Sequence, residues 1–193
     1  MRKLAIITFV TLDGVMQGVG SPQEDPSGNF AHGGWATDYW PDVMAQVRQE
    51  AMAEPYDILF GRKTYAMFAA NRRVAADRGP VDEMMDNATK YVLSSTLNTL
   101  TWENSICLTG DAVAEVSRLK EANGPLLQIH GSWQLIQALH THELIDEYRL
   151  WTFPVVLGSG KRLFEPGASP RNLQLVKTAP CANGVVMSIW QRT

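Results

Sequence analysis

Hydrophobic positions along the chain alternate between two rhythms, a strand-like one in which neighbouring residues are both apolar and a helical one in which every third or fourth residue is. Leu4 to Leu12 is apolar on both of its alternating sets, which predicts a central strand covered on both faces. Val43, Val47 and Ala51 share one face of a helix predicted over Asp42 to Glu54, with Pro41 at its start and Pro55 as its stop. Asp57 to Phe60 reads as a strand that breaks at Gly61 into a helix reaching about Ala70, and the polar, basic stretch from Asn71 to Arg78 reads as a surface excursion. Short strands follow at Lys90 to Leu93 and Ser105 to Leu108. A helix capped by Asp111 carries Val113, Val116 and Leu119 on one face and stops at Asn123-Gly124-Pro125. Leu126 to His130 is again a strand breaking at a glycine, Gly131, into a helix that buries Leu135, Ile136 and Leu139, with Ser132 placed to cap it.

The last third changes character. Glu147 to Val156 is strand-like, and Leu173 to Thr178 with Val185 to Gln191 forms a hairpin around Asn183-Gly184, with Val185, Met187 and Ile189 on one side. Alternating strands and helices that end in antiparallel strands predict an α/β fold, a mixed sheet flanked by helices, in one domain spanning residues 1–193. The stretch from Gly14 to Trp40 fits neither rhythm. It is rich in glycine yet carries Phe30, Trp35, Tyr39 and Trp40, a combination expected of a lid over a pocket.

Composition narrows the partners. A net charge of -3, a pI near 5.8 and the absence of any Lys/Arg run argue against nucleic acid or an anionic membrane as partner and leave small molecules. Cys107 and Cys181 supply neither a disulfide framework nor a metal set, as expected of a cytoplasmic protein. Met1-Arg2-Lys3 and the apolar run behind it imitate a signal peptide, but Asp13 ends the run and no cleavage pattern follows. Asn87-Ala88-Thr89 has the form of a glycosylation acceptor without a secretory context. His140 and His142 are two apart on a helix and face different ways, so no metal site is expected.

The candidate chemistry lies where strands break into helices. Arg62 and Lys63 occupy a first helical turn, where partial positive charge disfavours cations, and a bound anion such as phosphate would resolve the conflict. Gly61 allows close backbone approach, and Gly131 with Ser132 repeats the design. Ser94-Ser95-Thr96 can cap a turn or donate to phosphate and ribose oxygens. Gly158-Ser159-Gly160-Lys161-Arg162 is either a hairpin end or a backbone nest for an anion. The phosphate-loop, zinc-protease and serine-hydrolase motifs are absent.

Leu12-Asp13-Gly14, Phe60-Gly61-Arg62-Lys63-Thr64, Leu93-Ser94-Ser95, His130-Gly131-Ser132, and Ile145 to Tyr148 continuing through Pro154 to Gly160, taken in order, resemble the dihydrofolate reductase-like superfamily. The branch they resemble is the C-terminal reductase domain of bacterial riboflavin biosynthesis, over nearly the whole chain. The zinc deaminase pattern that often precedes that domain is absent, so a bifunctional enzyme is not expected. The resemblance implies an eight-stranded mixed sheet, a homodimer, and NADPH lying across the strand ends. Arg62, Lys63 and Thr64 would meet its phosphates, Ser94 and Ser95 its 2′-phosphate end, and Gly131 and Ser132 its pyrophosphate, with Gly131 beside the nicotinamide half. Gly61 and the glycines Gly158 and Gly160 would border the same ligand. Trp35 and His130 would line a substrate pocket for a pterin-like or ribosylaminopyrimidine-like heterocycle. Asp13 and Asp38 are the candidate proton donors, with Asp42 and Glu50 nearby. A noncatalytic dimeric nucleotide-binding protein of the same fold is the alternative.

Overall fold

The structure is a computed structural model that describes residues 1–74, 79–97 and 99–193. Residues 75–78, the second half of the expected surface excursion, lie outside the described residues; 71–74 belong to a helix. The strands are β1 (Leu4–Thr11), β2 (Tyr56–Gly61), β3 (Lys90–Leu93), β4 (Ser105–Leu108), β5 (Leu126–His130), β6 (Glu147–Phe153), β7 (Leu173–Pro180) and β8 (Val186–Arg192). They form one sheet in the order β4-β3-β2-β5-β1-β6-β8-β7. β1 to β6 pair in parallel, and β8 runs antiparallel to both β6 and β7.

Among the described residues, five α-helices flank the sheet: α1 (Trp40–Ala51), α2 (Arg62–Val74), α3 (Pro80–Asn87), α4 (Ala112–Glu121) and α5 (Trp133–Thr141). β1 is interior and nearly all buried, as a strand apolar on both faces must be. Its side chains feed two cores. Ala5 and Ile7 join Val43, Val47 and Ala51 of α1, Tyr65 of α2 and Met85 of α3, while Leu4 and Ile6 join Val116 and Leu119 of α4 and Leu135, Ile136 and Leu139 of α5. Val185, Met187 and Ile189 are buried together, as their alternation requires.

Several boundaries differ from expectation: α2 runs on to Val74, β6 stops at Phe153 and not at Val156, β7 extends to Pro180, and both ends of α1 shift for local reasons. α1 begins at Trp40, because Pro41 is tolerated in a first turn where its missing N–H has no acceptor, and ends at Ala51, before the residues that lead into Pro55. α3 was not anticipated, although Pro80 in the first turn and the Asp82 carboxylate accepting the Gly79 N–H (2.9 Å) are helix-start signals. The C-terminus of α3 is held by Lys90, whose side chain is fully buried and whose ammonium donates to the carbonyls of Met85 (2.9 Å), Asp86 (2.8 Å) and Ala88 (2.8 Å). No helix among the described residues is long and apolar enough to cross a membrane.

Candidate functional site

Strand register brings the three glycine and serine turns together. Gly61 is paired with Leu93, so the Gly61 turn and Ser94 leave the sheet side by side, and Leu59 is paired with Ile129, so Gly131 emerges level with Gly61 on the other flank. The Ser132 hydroxyl accepts the Gly61 N–H (3.0 Å) and ties the two turns directly. Ser132 therefore holds the N-cap position of α5 without capping it; it sits in the left-handed region at φ 57, next to Gly131 at φ 60. A non-glycine residue in that conformation is strained, and such strain concentrates at functional sites. The first N–H groups of α5 lack a side-chain cap, and the first turn of α2 holds no acid.

These turns open on one cavity of about 1300 Å³. Gly61, Arg62, Lys63, Thr64, Ser94, Ser95, Gly131 and Ser132 line it, as does His130. A side chain added at Gly61 would meet nothing closer than Ser132 at 3.7 Å, and one at Gly131 would meet Thr64 at 3.5 Å. The chain's own packing therefore leaves the space over the two turns open. Arg62 and Lys63 are exposed and, among the described residues, make no ion pair, whereas Lys161 on the far wall is matched with Asp25 (2.5 Å). Burial opposes ionisation of Asp25, but the hydrogen bonds from Lys161 and Ser27 prevail and lower its pKa. The Ser94 hydroxyl accepts the N–H groups of Leu97 (2.9 Å) and Thr96 (3.2 Å), so it caps a turn while its own proton is left to donate.

Other expected residues stand elsewhere. Trp35 does not line the cavity: its indole N–H donates to the Gln17 carbonyl (2.8 Å) and its ring meets Phe153 edge-on, at 5.1 Å between centroids. Trp40, in the first turn of α1, faces the cavity instead. Asp13 also lies outside it. Its carboxylate accepts from the Thr11 hydroxyl (2.6 Å) and from the N–H groups of Gly158 (2.9 Å) and Leu157 (3.2 Å), and the Thr11 bond above all lowers its pKa to about 2. Such a carboxylate fastens two loops and is a poor reservoir for a proton near neutral pH. Asp38 is exposed on the short turn before α1 and outside the cavity lining; Asp42 is exposed as well, and Glu50 pairs with Lys177 (2.7 Å). Gly158 and Gly160 do not line this cavity, although Gly160 lines a smaller one that shares Gln17, Trp133 and Lys161 with it. Each is required by its backbone, at φ 76 and φ 119, and Gly160 packs so closely under Val15 and Phe30 that a Cβ would come within 2.7 Å of Val15.

His130 is buried and uncharged, its pKa pushed down to about 4 by burial. Gln128 commits its amide nitrogen to the Ala51 carbonyl, so its oxygen faces His130 Nε2 at 3.0 Å and assigns the proton to that nitrogen. One glutamine and a set of four methionines contribute without any signal in the sequence. Gln17, 4% exposed, donates to the carbonyls of Asp25 and Ser27 (both 2.9 Å) and accepts the Lys161 N–H (2.9 Å), which orders the 14–39 segment against the 158–162 turn. Met44, Met52, Met67 and Met85 gather along one wall of the cavity from three helices and a loop. An isolated glutamine carries no sequence signal of such a role, and methionines so far apart are legible only after folding.

The family model of the RibD C-terminal domain matches residues 2–187. The uncharacterized protein YyaP of Bacillus subtilis (strain 168) is 28% identical over 198 residues, covering 98% of this chain and 94% of that protein. A solved protein assigned to riboflavin biosynthesis from Shewanella sp. PV-4 superposes with a TM-score of 0.66 at 18% identity, covering 100% of this chain and 99% of that one. Dihydrofolate reductase from Enterococcus faecalis, complexed with NADP(H) and RAB-propyl, gives 0.64 at 15% identity, with 99% and 96% covered. The fold is thus dihydrofolate reductase-like, and by a match over nearly its whole length the chain belongs to the RibD C-terminal domain family.

Proposed function

We propose that the protein is an NADPH-dependent reductase that transfers a hydride to a small heterocyclic compound. The observation that carries this reading is the alignment of the Gly61, Ser94 and Gly131 turns along three adjacent strand ends, opening on one large cavity beside Arg62 and Lys63, which make no ion pair among the described residues. Family membership and the fold of an NADP(H)-complexed dihydrofolate reductase support it. When bound, the nicotinamide supplies the hydride. The chain's own residues bind and orient. Arg62, Lys63 and Thr64 hold phosphate at the start of α2, Ser94 and Ser95 hold the 2′-phosphate end, and the uncapped N–H groups behind Gly131 and Ser132 face the pyrophosphate. Trp40 and Phe9 exclude water from the far side, and His130 offers a neutral polar contact to the substrate. The dimer implied by the resemblance belongs to this proposal as well.

Titration with NADPH and NADH, read by energy transfer from tryptophan to nicotinamide, is the direct test, since Trp40, Trp102 and Trp133 line the cavity. Saturable NADPH binding is expected, and its absence refutes the reading. A noncatalytic nucleotide-binding role is the second reading, favoured by the placement of Asp13 and Asp38 outside the cavity. Turnover of NADPH with any heterocycle excludes it.

A further inference from the structure

Beyond the phosphate turns the cavity continues into a slot between α1, α2 and α3. Its walls are Trp40, Met44, Met52, Met67, Phe68 and Met85. Among the described residues, the charged groups at its edges are already satisfied within the chain. Arg72 is held by Asp86 and by Asp82 at 3.3 Å, with its guanidinium 5.5 Å over the Trp102 ring. Lys90, which does not line the cavity and lies behind Met85 and Trp102, is turned into the carbonyls of α3. On the loop side, Asp25 is paired with Lys161, and Glu24 folds back to accept the Gly20 N–H at 2.5 Å. The face that α1 turns to the cavity is Trp40, Met44 and Val47, while its only first-turn acid, Asp42, is exposed. Arg62 and Lys63, which make no ion pair among the described residues, stand at the strand turns.

A protonated aminopyrimidine or pterin ring is normally recognised by a carboxylate that accepts both of its donors, and a phosphorylated ring by a cation with spare hydrogen bonds; among the described residues, the carboxylates and cations at the edges of the slot are already engaged within the chain, so each ring would be buried without a dedicated partner. Flat uncharged rings, by contrast, are well served by tryptophan and phenylalanine faces and by thioethers, which adapt to irregular shapes. The volume suffices for two occupants, since a single small-molecule pocket takes roughly 300–1,000 Å³ and this cavity holds about 1300 Å³. We infer that the α1–α2–α3 slot binds an uncharged planar heteroaromatic ring carrying neither an amidine-like cation nor a phosphate, and that this ring is the hydride acceptor's class. The inference rests on the reductase reading for the word acceptor, but the slot's selectivity is a binding property that can be measured by itself.

Three probes decide it by calorimetry on the full chain saturated with NADPH: lumichrome, an uncharged three-ring heterocycle; 2,4-diaminopyrimidine, whose protonated form pairs with carboxylates; and uridine 5′-monophosphate, a pyrimidine bearing phosphate. Lumichrome is expected to bind at least tenfold more tightly than either of the others. Met44→Glu should weaken lumichrome at least tenfold and strengthen 2,4-diaminopyrimidine, because it installs the missing carboxylate on the slot wall, while NADPH affinity shows that the variant is folded. Tighter binding of diaminopyrimidine or of the nucleotide, or no binding by lumichrome, overturns the inference. Loss of diaminopyrimidine binding in Glu24→Gln would overturn it too, by showing that Glu24 serves as the carboxylate. If NADPH fails to bind, the reductase reading falls, and the slot is then judged on the response of lumichrome to Met44→Glu, which involves neither Arg62 nor Lys63.

Discussion

Replacing Lys90 by methionine tests whether the wall of the slot is set by one buried ammonium. Lys90 is 0% exposed, donates to three carbonyls at the end of α3 and lies 4.7 Å from the centroid of Trp102. Methionine keeps the apolar stem and leaves the three carbonyls without that donor. A hydrogen bond to a charged group is worth about 1.5–3 kcal/mol, but relief of the buried charge offsets part of the loss, so a net destabilisation of about 3 kcal/mol is expected. For a chain of this size that is a fall in Tm of roughly 6–12 °C. The pH dependence supplies a second readout. Burial pushes the Lys90 pKa down to about 8 from 10.5. Between those values the unfolded chain binds more protons than the folded one, so stability should rise with pH across that window, and the rise should be missing in Lys90→Met. Because Met85 and Trp102 line the cavity, lumichrome affinity should fall as well. Urea denaturation at pH 7 and pH 10 measures both terms. A loss under about 1 kcal/mol, or an unchanged pH slope, would refute the view that Lys90 anchors α3.

Other expectations follow from the same geometry. Arg62→Ala with Lys63→Ala should weaken NADPH and NADH alike by about 10- to 30-fold, the equivalent of about 1.4–2 kcal/mol of charge-assisted hydrogen bonding, whereas Ser94→Ala with Ser95→Ala should weaken NADPH more than NADH; a loss at Arg62 and Lys63 confined to NADPH would mean that they, and not Ser94 and Ser95, hold the 2′-phosphate. Ser132→Ala removes the acceptor of the Gly61 N–H and keeps the left-handed strain, whereas Ser132→Gly removes both, so the glycine variant should melt higher than the alanine variant by the equivalent of about 1 kcal/mol. Asp13→Asn should loosen the joint between residues 11–15 and 157–162 and cost about 1–2 kcal/mol at pH 7. Since the folded pKa is lowered to about 2, the wild-type advantage should persist above pH 4 and vanish as the pH falls through 2. A collapse of turnover in Asp13→Asn with NADPH and substrate affinity intact would instead identify it as a proton donor.

How much of this was written in the sequence depends on the range over which each feature is decided. The strands and most helices were legible because burial of β1 on both faces, or of Val43, Val47 and Ala51 on one, is a local periodic property. The electrostatic misfit of Arg62 and Lys63 in a first helical turn was equally local, and so were the glycines at the strand ends. Their convergence was not. Gly61, Ser94 and Gly131 become one cradle only through the β3-β2-β5 register, and Ser132, read as a helix cap, spends its hydroxyl on a residue 71 positions away. Trp35 and Asp13 looked like site residues because aromatic and acidic side chains in a glycine-rich loop often are. Tertiary packing placed one on Phe153 and the other on the Leu157–Gly158 backbone. The methionine slot has no sequence signature, since Met44, Met52, Met67 and Met85 lie on different elements and share a wall only when α1, α2 and α3 pack on the same face of the sheet. Local chemistry thus determined which segments could bind phosphate, and long-range register decided which of them meet around one cavity and with what charge left over.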